Sequence, residues 1–438
     1  MHSTSRVVPA VAASAVLMLA LAGCGSSATP SSAPTSIPDS MDAAGEKVTV
    51  WVMQDDYSQD TLDAINTTFT KRTGAKADVQ IQQWDGITTK LSTALSTNNP
   101  PDVVDIGNTQ VAGYADGGAL MDITKYRDQL EQGQTWLDGL VDPATVDGSL
   151  YAVPGFAGAR SVIYNKKTWA EAGITTVPTT WDELTADLDQ VKAANTASDF
   201  SALYLPGQHW YVGMQFVWDA DGEIAVDTDG IWTGELGSAK AQDGLAAWKE
   251  FQNTYSAAAS RTLSTDSPEQ EQIFADGKAS AIVASNGAVD VILGANPSLT
   301  ADDLGTFALP GQSGKTQPVM LGGSDWGIAA KSSNQELALV WTQIAASPEI
   351  QNDYVFGVSG WIPNSTEGIE AAQATLSDSK VGFFQAALNS RATPASPGWS
   401  GIEGSNALQE LFSSVANGSA TTKAAAATFD AVVDSALK

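Results

Sequence analysis

The first third of the chain alternates short apolar runs with amphipathic segments. Residues 48–53 (VTVWVM) are mostly β-branched and aromatic, which predicts a buried strand. Leu62, Ile65 and Phe69 follow at helical spacing and predict a helix that ends near Gly74. The pattern repeats, so that strands are predicted at 48–53, 77–82 and 103–106 and helices at about 62–73 and 87–95. This β-α-β-α-β order is typical of a parallel sheet with helices on both faces.

The rest of the chain continues this alternation of strands and helices. A capping box at 180–183 (TWDE) begins a helix whose apolar face carries Leu184, Leu188 and Val191. Further strands are predicted at 160–164, 281–284 and 327–330, and further helices at 267–276 and 336–346. A chain of 438 residues exceeds one small core, which favours two lobes or domains. The predicted fold class is α/β.

The amino terminus carries an export signal. Arg6 precedes an apolar stretch at 7–21, which is too short to span a membrane stably and is typical of a signal peptide. The sequence Leu-Ala-Gly-Cys at 21–24 resembles the lipobox of bacterial lipoproteins, in which the cysteine is acylated. We therefore predict a signal peptide at 1–23, lipidation of Cys24, and a Ser/Ala/Pro-rich tether at 24–46 that holds the protein on the outer face of the cell membrane. An ordinary signal peptide with an incidental cysteine is the alternative.

Composition excludes several classes of function. Twenty-two Lys and Arg stand against 50 Asp and Glu, and a net charge of −28 disfavours nucleic acid. With 43% hydrophobic and 16% charged residues, the chain is expected to be globular. The two histidines, His2 and His209, and the single cysteine leave little for a metal site. No metal and no cofactor is predicted.

No catalytic motif is present in recognisable form. Residues 311–316 (GQSGKT) lack the first glycine of a phosphate-binding loop, since Leu309 occupies its place. The segment 227–230 (DTDG) is predicted to be a turn because Ala225 stands where a calcium loop needs its first ligand. No catalytic residue is predicted. A glycan-cleaving enzyme with paired carboxylates stays open, because the separation of two carboxylates is invisible in a sequence.

Thirteen tryptophans are the more informative feature. Sugars present flat C–H faces that pack on aromatic rings and hydroxyls that need hydrogen-bond partners. Five tryptophans lie near loops that are rich in Gly, Pro, Asp or Asn, namely Trp84, Trp210, Trp326, Trp361 and Trp399. Trp326 and Trp399 are predicted to contact a ligand, whereas core packing and ligand contact stay open for Trp84 and Trp210. Arg160 is expected to bind ligand hydroxyls or a carboxylate, or to form a surface ion pair.

Short motifs in a fixed order resemble the extracellular solute-binding proteins of carbohydrate ABC importers. The motifs are PDVVDIGN at 101–108, YAVP at 151–154, VIYNK at 162–166, PTTWDE at 178–183, FADGK at 274–278 and GWIP at 360–363. The resemblance implies a two-lobed fold of the type II periplasmic-binding-protein kind, with a ligand cleft between the lobes. It implies lobe 1 at 48–154 plus 315–345 and lobe 2 at 155–314 plus 346–438.

The resemblance also implies a site, a ligand class and a partner. The matching cleft residues are Gln54, Asp55, Trp84, Asn108, Thr109, Gln110, Trp210, Asn286, Ser324, Asp325, Trp326 and Trp399. Asn108-Thr109-Gln110 and Gly158 depart from the charged residues of maltose binders. The stretch 106–110 (IGNTQ) resembles binders of cello-oligosaccharides or N,N′-diacetylchitobiose instead. The implied protein is a monomeric, non-catalytic sugar receptor that delivers its ligand to a membrane permease. A receptor of the same fold for a non-sugar solute is the other alternative.

Overall fold

The computed structural model describes residues 36–437. The predicted signal peptide, Cys24 and the first part of the predicted tether lie outside the described residues. The strands are β1 Lys47–Met53, β2 Lys76–Gln82, β3 Val103–Gly107, β4 Thr145–Val146, β5 Ser149–Leu150, β6 Ala152–Gly158, β7 Arg160–Asn165, β8 Ala225–Thr228, β9 Ile231–Gly234, β10 Ala281–Ser285, β11 Leu304–Phe307, β12 Val319–Met320, β13 Gly322–Ile328 and β14 Ser390–Arg391.

Helices connect and cover these strands. The α-helices are α1 Gln59–Thr73, α2 Ile87–Ser96, α3 Val111–Asp116, α4 Arg127–Glu131, α5 Asp138–Val141, α6 Lys166–Glu171, α7 Trp181–Ala194, α8 Trp210–Asp219, α9 Ala239–Tyr255, α10 Gln270–Ala275, α11 Ala288–Ala295, α12 Gln335–Ala345, α13 Thr366–Gln373, α14 Val381–Ala387, α15 Trp399–Glu403, α16 Ala407–Asn417 and α17 Thr422–Ala436. A π-helix spans Ile350–Phe356, and short 3₁₀ turns span Asn108–Gln110, Thr124–Tyr126, Ala258–Thr262 and Ala301–Asp303. Within residues 36–437, none of the helices combines the length and the apolar character needed to cross a membrane.

The first sheet has five strands in the order β2-β1-β3-β13-β6. The predicted parallel arrangement is confirmed for β1, which pairs in parallel with β2 and with β3. Strand β13 then returns from far along the chain and lies antiparallel to both β3 and β6. The sheet is therefore mixed, and the segment 322–326 (GGSDW), whose glycine, serine and aspartate are typical of a loop, belongs to one of its central strands.

The second sheet is smaller and antiparallel, with the order β10-β7-β11. Two features predicted for this half of the chain are confirmed. Helix α7 begins with the predicted capping box, in which Thr180 caps the backbone N–H of Glu183 and the Glu183 side chain returns to the backbone of Thr180. Strand β7 begins at Arg160, as predicted. Strand β6 of the first sheet ends at Gly158, so at this crossing a single residue, Ala159, connects the two sheets.

Separate hydrophobic cores surround the two sheets. The first core is built from β1, β3, α1 and α12 and includes Trp326 and Trp341. A second core packs α8, α9, α16 and α17 around Trp248 and Phe412. A third packs β10, α11 and α14 beside β7 and includes residues near the passages between the sheets, such as Ala157 and Leu321. Two sheets with separate cores create the geometry in which a cleft forms between them.

The segment from residue 36 to 46 is not a solvated tether. Ile37 is buried in the first core, and its backbone N–H donates to Oε1 of Gln129 at 3.0 Å. The backbone of Ala43 donates to the carbonyl of Thr73 at 2.8 Å, and Met41 packs against the same core. A segment that buries an isoleucine and forms backbone hydrogen bonds is part of the folded unit, so the predicted tether is wrong over these residues.

Candidate functional site

A cavity of about 310 Å³ lies between the two sheets. One wall comes from the end of β6, the start of β13 and the loops that follow β1 and β2. The opposite wall comes from the start of β7 and the turn after β10. Its lining residues are Asp56, Trp84, Phe156, Gly158, Ala159, Arg160, Ser285, Asn286, Gly287, Gly322, Gly323, Ser324 and Trp361. This size falls at the lower end of the range of about 300–1000 Å³ for small-molecule pockets.

Three aromatic rings form the apolar part of the cavity. Phe156 and Trp361 stack with their ring centroids 4.6 Å apart and their planes at 28°. Trp84 stands in the loop after β2 and is 41% exposed, the most exposed tryptophan among the large hydrophobic residues of the described chain. An exposed ring costs hydrophobic free energy unless a ligand covers it, so Trp84 is suited to stack on a flat apolar face.

Asp56 connects the aromatic part of the cavity to its polar part. Its Oδ2 accepts a hydrogen bond from Oγ of Ser324 at 2.7 Å, and its Oδ1 accepts one from Nε1 of Trp84 at 3.4 Å. Its main-chain carbonyl accepts a third from Nε1 of Trp361 at 2.9 Å. Burial raises the pKa of Asp56 to about 6, although the bonds from Ser324 and Trp84 oppose this shift. Asp56 therefore fixes both indoles and titrates close to neutral pH.

Arg160 supplies a cation to the opposite wall. Its guanidinium lies 3.3 Å from the ring centroid of Tyr211, which stacks on Trp210 at 3.6 Å. Burial lowers the pKa of Arg160, while Tyr211 and Glu403 oppose the shift. Burial also lowers the pKa of His209 to about 3, and the charge of Arg160 adds to that shift. The arginine packs on the ring of Tyr211, with which its side chain also forms a hydrogen bond, and does not form a surface ion pair with any other described residue.

Beside the cavity, a hydrogen bond joins two segments that are far apart in sequence. Oγ1 of Thr109, in the turn after β3, donates to Oε2 of Glu403 at the end of α15 at 2.9 Å. Burial raises the pKa of Glu403, and the Thr109 hydroxyl and the charge of Arg160 oppose that shift. This contact ties the first sheet to the helices of the second core.

The structure brings three of the predicted site residues into the cavity, namely Trp84, Asn286 and Ser324. Gln54 and Asp55 are exposed in the loop after β1, where the side chain of Gln54 accepts a hydrogen bond from Gln83. Gln110 and Trp84 both lie beside Gly107. Whether these residues contact a ligand stays a prediction.

Other predicted site residues are enclosed by protein. The side-chain amide of Asn108 is buried and donates to the carbonyls of Gly139 and Leu321. Trp210 lies in the second core, and Asp325 is fully buried. The side-chain amide of Asn108 therefore joins helix α5 to Leu321, the residue directly before strand β13.

Trp326 and Trp399 were the tryptophans with the strongest prediction of ligand contact, and the structure assigns both to the cores. Each has 0% exposure. Trp326 packs on Tyr57 at 4.8 Å and edge-on against Trp341 at 4.9 Å, and Trp399 belongs to the second core. A ring without exposed surface cannot stack on a ligand in this cavity, and the aromatic rings that line the cavity are those of Trp84, Phe156 and Trp361 instead.

Asp56 and Phe156 line the cavity and were not among the predicted site residues, and Arg160, for which ligand contact and a surface ion pair were both left open, lines it as well. Asp56 stands beside the predicted Gln54 and Asp55, and Arg160 is one of only 22 basic residues, so each had a signal in the sequence. Phe156 had none, because an apolar residue inside a strand is indistinguishable from core. Over residues 36–437, no group of three or more His, Cys, Asp or Glu side chains is arranged to hold a metal ion.

Comparison with known proteins gives consistent matches. The profile of a family described as bacterial extracellular solute-binding protein matches residues 55–352. The diacetylchitobiose binding protein DasA of Streptomyces coelicolor is 35% identical over 386 residues, which cover 87% of this chain and 88% of that protein.

Solved structures match the fold. The sugar-binding protein MalE from Xanthomonas citri superposes with a TM-score of 0.77 at 22% identity, covering 89% of this chain and 97% of that one. The maltose-binding protein MalE from Listeria monocytogenes, in complex with maltose, gives a TM-score of 0.75 at 18% identity, covering 89% and 97%. The predicted two-lobed fold is thereby confirmed.

Proposed function

The chain belongs to the family of bacterial extracellular solute-binding proteins, and from that premise we propose that it captures a di- or oligosaccharide, such as N,N′-diacetylchitobiose or a cello-oligosaccharide, for an ABC importer. The observation that carries this proposal is the cavity, in which three aromatic rings stand beside the polar groups of Asp56, Arg160, Asn286 and Ser324. A sugar requires aromatic rings for its C–H faces and hydrogen-bond partners for its hydroxyls. The identity to a diacetylchitobiose binding protein supports the choice of sugar.

The mechanism follows from the position of the cavity between two bodies. We take lobe 1 to be 48–154 plus 315–345 and lobe 2 to be 155–314 plus 346–438. Separate cores support this division except at its edges, because β6 continues the first sheet to Gly158 and Ala346, Ile350 and Val355 pack in the first core. A ligand shifts the equilibrium toward a closed state only if it binds that state more tightly than the open one. A sugar that contacts Trp84 on one lobe and Asn286 on the other meets this condition. The closed form then presents the sugar to the membrane permease without chemical change.

Titration calorimetry with N,N′-diacetylchitobiose, cellobiose and maltose tests this function. We expect the diacetylated disaccharide to bind, and a micromolar dissociation constant would correspond to about −8 kcal/mol. Trp84→Ala is expected to weaken that binding at least about tenfold, or about 1.4 kcal/mol, because one of the three aromatic rings of the cavity is removed. The ligand recovered after incubation should be intact by chromatography.

Trp232→Ala is the matched control, since Trp232 is partly buried in β9 and does not line this cavity. It should bind the disaccharide as the unaltered protein does. No binding of any of the three sugars would contradict the proposed function. Cleavage of the sugar would favour the glycan-cleaving alternative.

We further propose that Cys24 is acylated after removal of residues 1–23 and anchors the protein to the outer face of the cell membrane as a monomer. The lipobox-like residues 21–24 support this, and two acyl chains give stable anchoring where one gives only marginal binding. Cys24→Ser is expected to move the protein from the membrane fraction to the medium or the soluble fraction, as followed by immunoblotting. Retention of the variant on membranes would show that another feature holds it there.

A further inference from the structure

Acidic side chains lie behind the wall of the cavity at Asp56. Asp105 of β3 is fully buried, and its Oδ2 accepts a hydrogen bond from the backbone N–H of Met53 at 3.0 Å. The carboxyls of Asp56 and Asp105 are close enough to share a hydrogen bond, in which the more deeply buried Asp105 keeps the proton. Asp325 of β13 is also fully buried, and the Tyr57 hydroxyl is enclosed with these groups.

No cation neutralises this group of acids within the described part of the chain, where the ion pairs of Lys and Arg involve other carboxylates. The titratable groups that face Asp56 are Asp55 and Tyr57 in its own loop and Asp105 from β3, while Asp325 from β13 faces Tyr57. Arg160 stands on the other wall of the cavity, where its guanidinium lies on the Tyr211 ring. Asp56 is the member of the acidic group that lines the cavity.

The protonation of this group follows from its burial. Burial raises the pKa of Asp105 well above its usual range, and the charge of Asp56 raises it further. Burial likewise raises the pKa of Asp325 well above its usual range, and that of Tyr57 rises through burial and the nearby carboxylates. Burial therefore favours the protonated forms of Asp105 and Asp325. Asp56, which is partly solvated from the cavity, is the group whose charge changes near neutral pH.

We propose that Asp56 is a proton-controlled residue of the binding cavity, so that the capture of a neutral sugar takes up a proton and is tighter in mildly acidic medium. This inference rests on the proposed function. A neutral ligand that fills the cavity removes the water that solvates the ionised Asp56 carboxylate and leaves the buried acid Asp105 behind that carboxylate. The protonated carboxyl has no charge to desolvate and can donate a hydrogen bond to a ligand oxygen.

The affinity for a neutral sugar should decrease as the pH rises. Because the bound state favours the protonated form, affinity is highest below the pKa of free Asp56, at about 6, and falls as the pH rises through it. Between about pH 5 and pH 7.5 we expect the dissociation constant for N,N′-diacetylchitobiose to rise between about threefold and thirtyfold. The upper value applies if only the protonated form binds. Calorimetry at pH 7 in two buffers of different ionisation enthalpy should show proton uptake.

Asp56→Asn carries a neutral side chain that still accepts the hydrogen bond from Ser324. It should bind the disaccharide with nearly the same affinity at about pH 5 and pH 7.5. Asp85→Asn is the matched control because Asp85 is exposed beside Trp84 and does not line the cavity. It should keep the pH dependence of the unaltered protein.

A second measurement needs no ligand. Because Trp84 and Trp361 donate to Asp56, ionisation of this residue should change tryptophan fluorescence near pH 6 in the free protein, and Asp56→Asn should remove that transition. Binding that does not depend on pH, or a fluorescence titration identical in the two proteins, would overturn the inference while leaving the proposed function intact. Absence of binding at every pH would instead overturn the proposed function, and fluorescence alone would then decide for or against a protonation change at Asp56.

Discussion

Replacing Trp326 with alanine is expected to lower the free energy of unfolding by about 3–5 kcal/mol. The ring has no exposed surface and is enclosed by Tyr57 and Trp341. It lies in β13, which is paired on both sides by β3 and β6, so the surrounding backbone cannot collapse into the space that the ring vacates. Loss of the buried surface and the residual cavity both destabilise the first core.

Urea unfolding followed by circular dichroism measures this effect, and Trp84→Ala is the comparison. Trp84 is 41% exposed, so its removal should cost well under half as much stability while it weakens disaccharide binding. The two tryptophans thus separate a role in folding from a role in binding. A Trp326→Ala protein of unchanged stability that no longer bound sugar would show that this ring meets the ligand after all.

The sequence did not reveal that Trp326 lies in the core. The segment 322–326 (GGSDW) has the composition of a loop, because glycine, serine and aspartate are rare inside strands. It nevertheless forms the start of β13, with a register shift between Ser324 and Asp325 against β6. The pairing of β13 joins residues about 170 to 220 positions apart, and no local pattern encodes such a contact. Whether Trp326 faces the cavity or the core depends on that pairing.

Local signals predicted the elements themselves well. The apolar run at 48–53 became β1, and the helix after it ends at Thr73 with Gly74 in the left-handed conformation. The capping box at Thr180 began α7 as expected. These features depend on residues within one or two turns of each other, which a sequence displays directly. The order of strands in the sheet depends on contacts between distant segments.

The sequence also did not reveal that Asp56 is the acid of its loop that lines the cavity. Gln54, Asp55 and Asp56 are polar neighbours, and the sequence offers no reason to choose among them. In the structure Asp55 takes a positive φ of 70°, a left-handed conformation that short polar residues tolerate. This turn leaves Asp55 exposed and directs Asp56 into the cavity, beside Ser324. A backbone angle at one residue therefore decides which acid belongs to the site.

Gly323→Ala should be the most damaging small substitution at the cavity, because two independent constraints require glycine there. The φ of Gly323 is +143°, which side chains of L-residues rarely adopt, and an added Cβ would overlap the main-chain carbonyl of Phe156. Relief requires β13 to move away from β6, where the cavity is formed. We expect a loss of about 3 kcal/mol or more in the free energy of unfolding, together with weaker disaccharide binding.

The neighbouring Gly322→Ala is a matched control that separates this close approach from a general effect of added volume. Gly322 also lines the cavity and lies in the same strand, but its added Cβ would meet no atom nearer than the carbonyl oxygen of Gly158 at 4.0 Å. Its stability should stay within about 1 kcal/mol of the unaltered protein, since removing a glycine also lowers the entropy of the unfolded chain. Equal effects of the two substitutions in urea unfolding would contradict the close approach of β13 and β6. Because both glycines border the same cavity, a difference in stability between the variants must come from the backbone at Gly323 and not from filling the site.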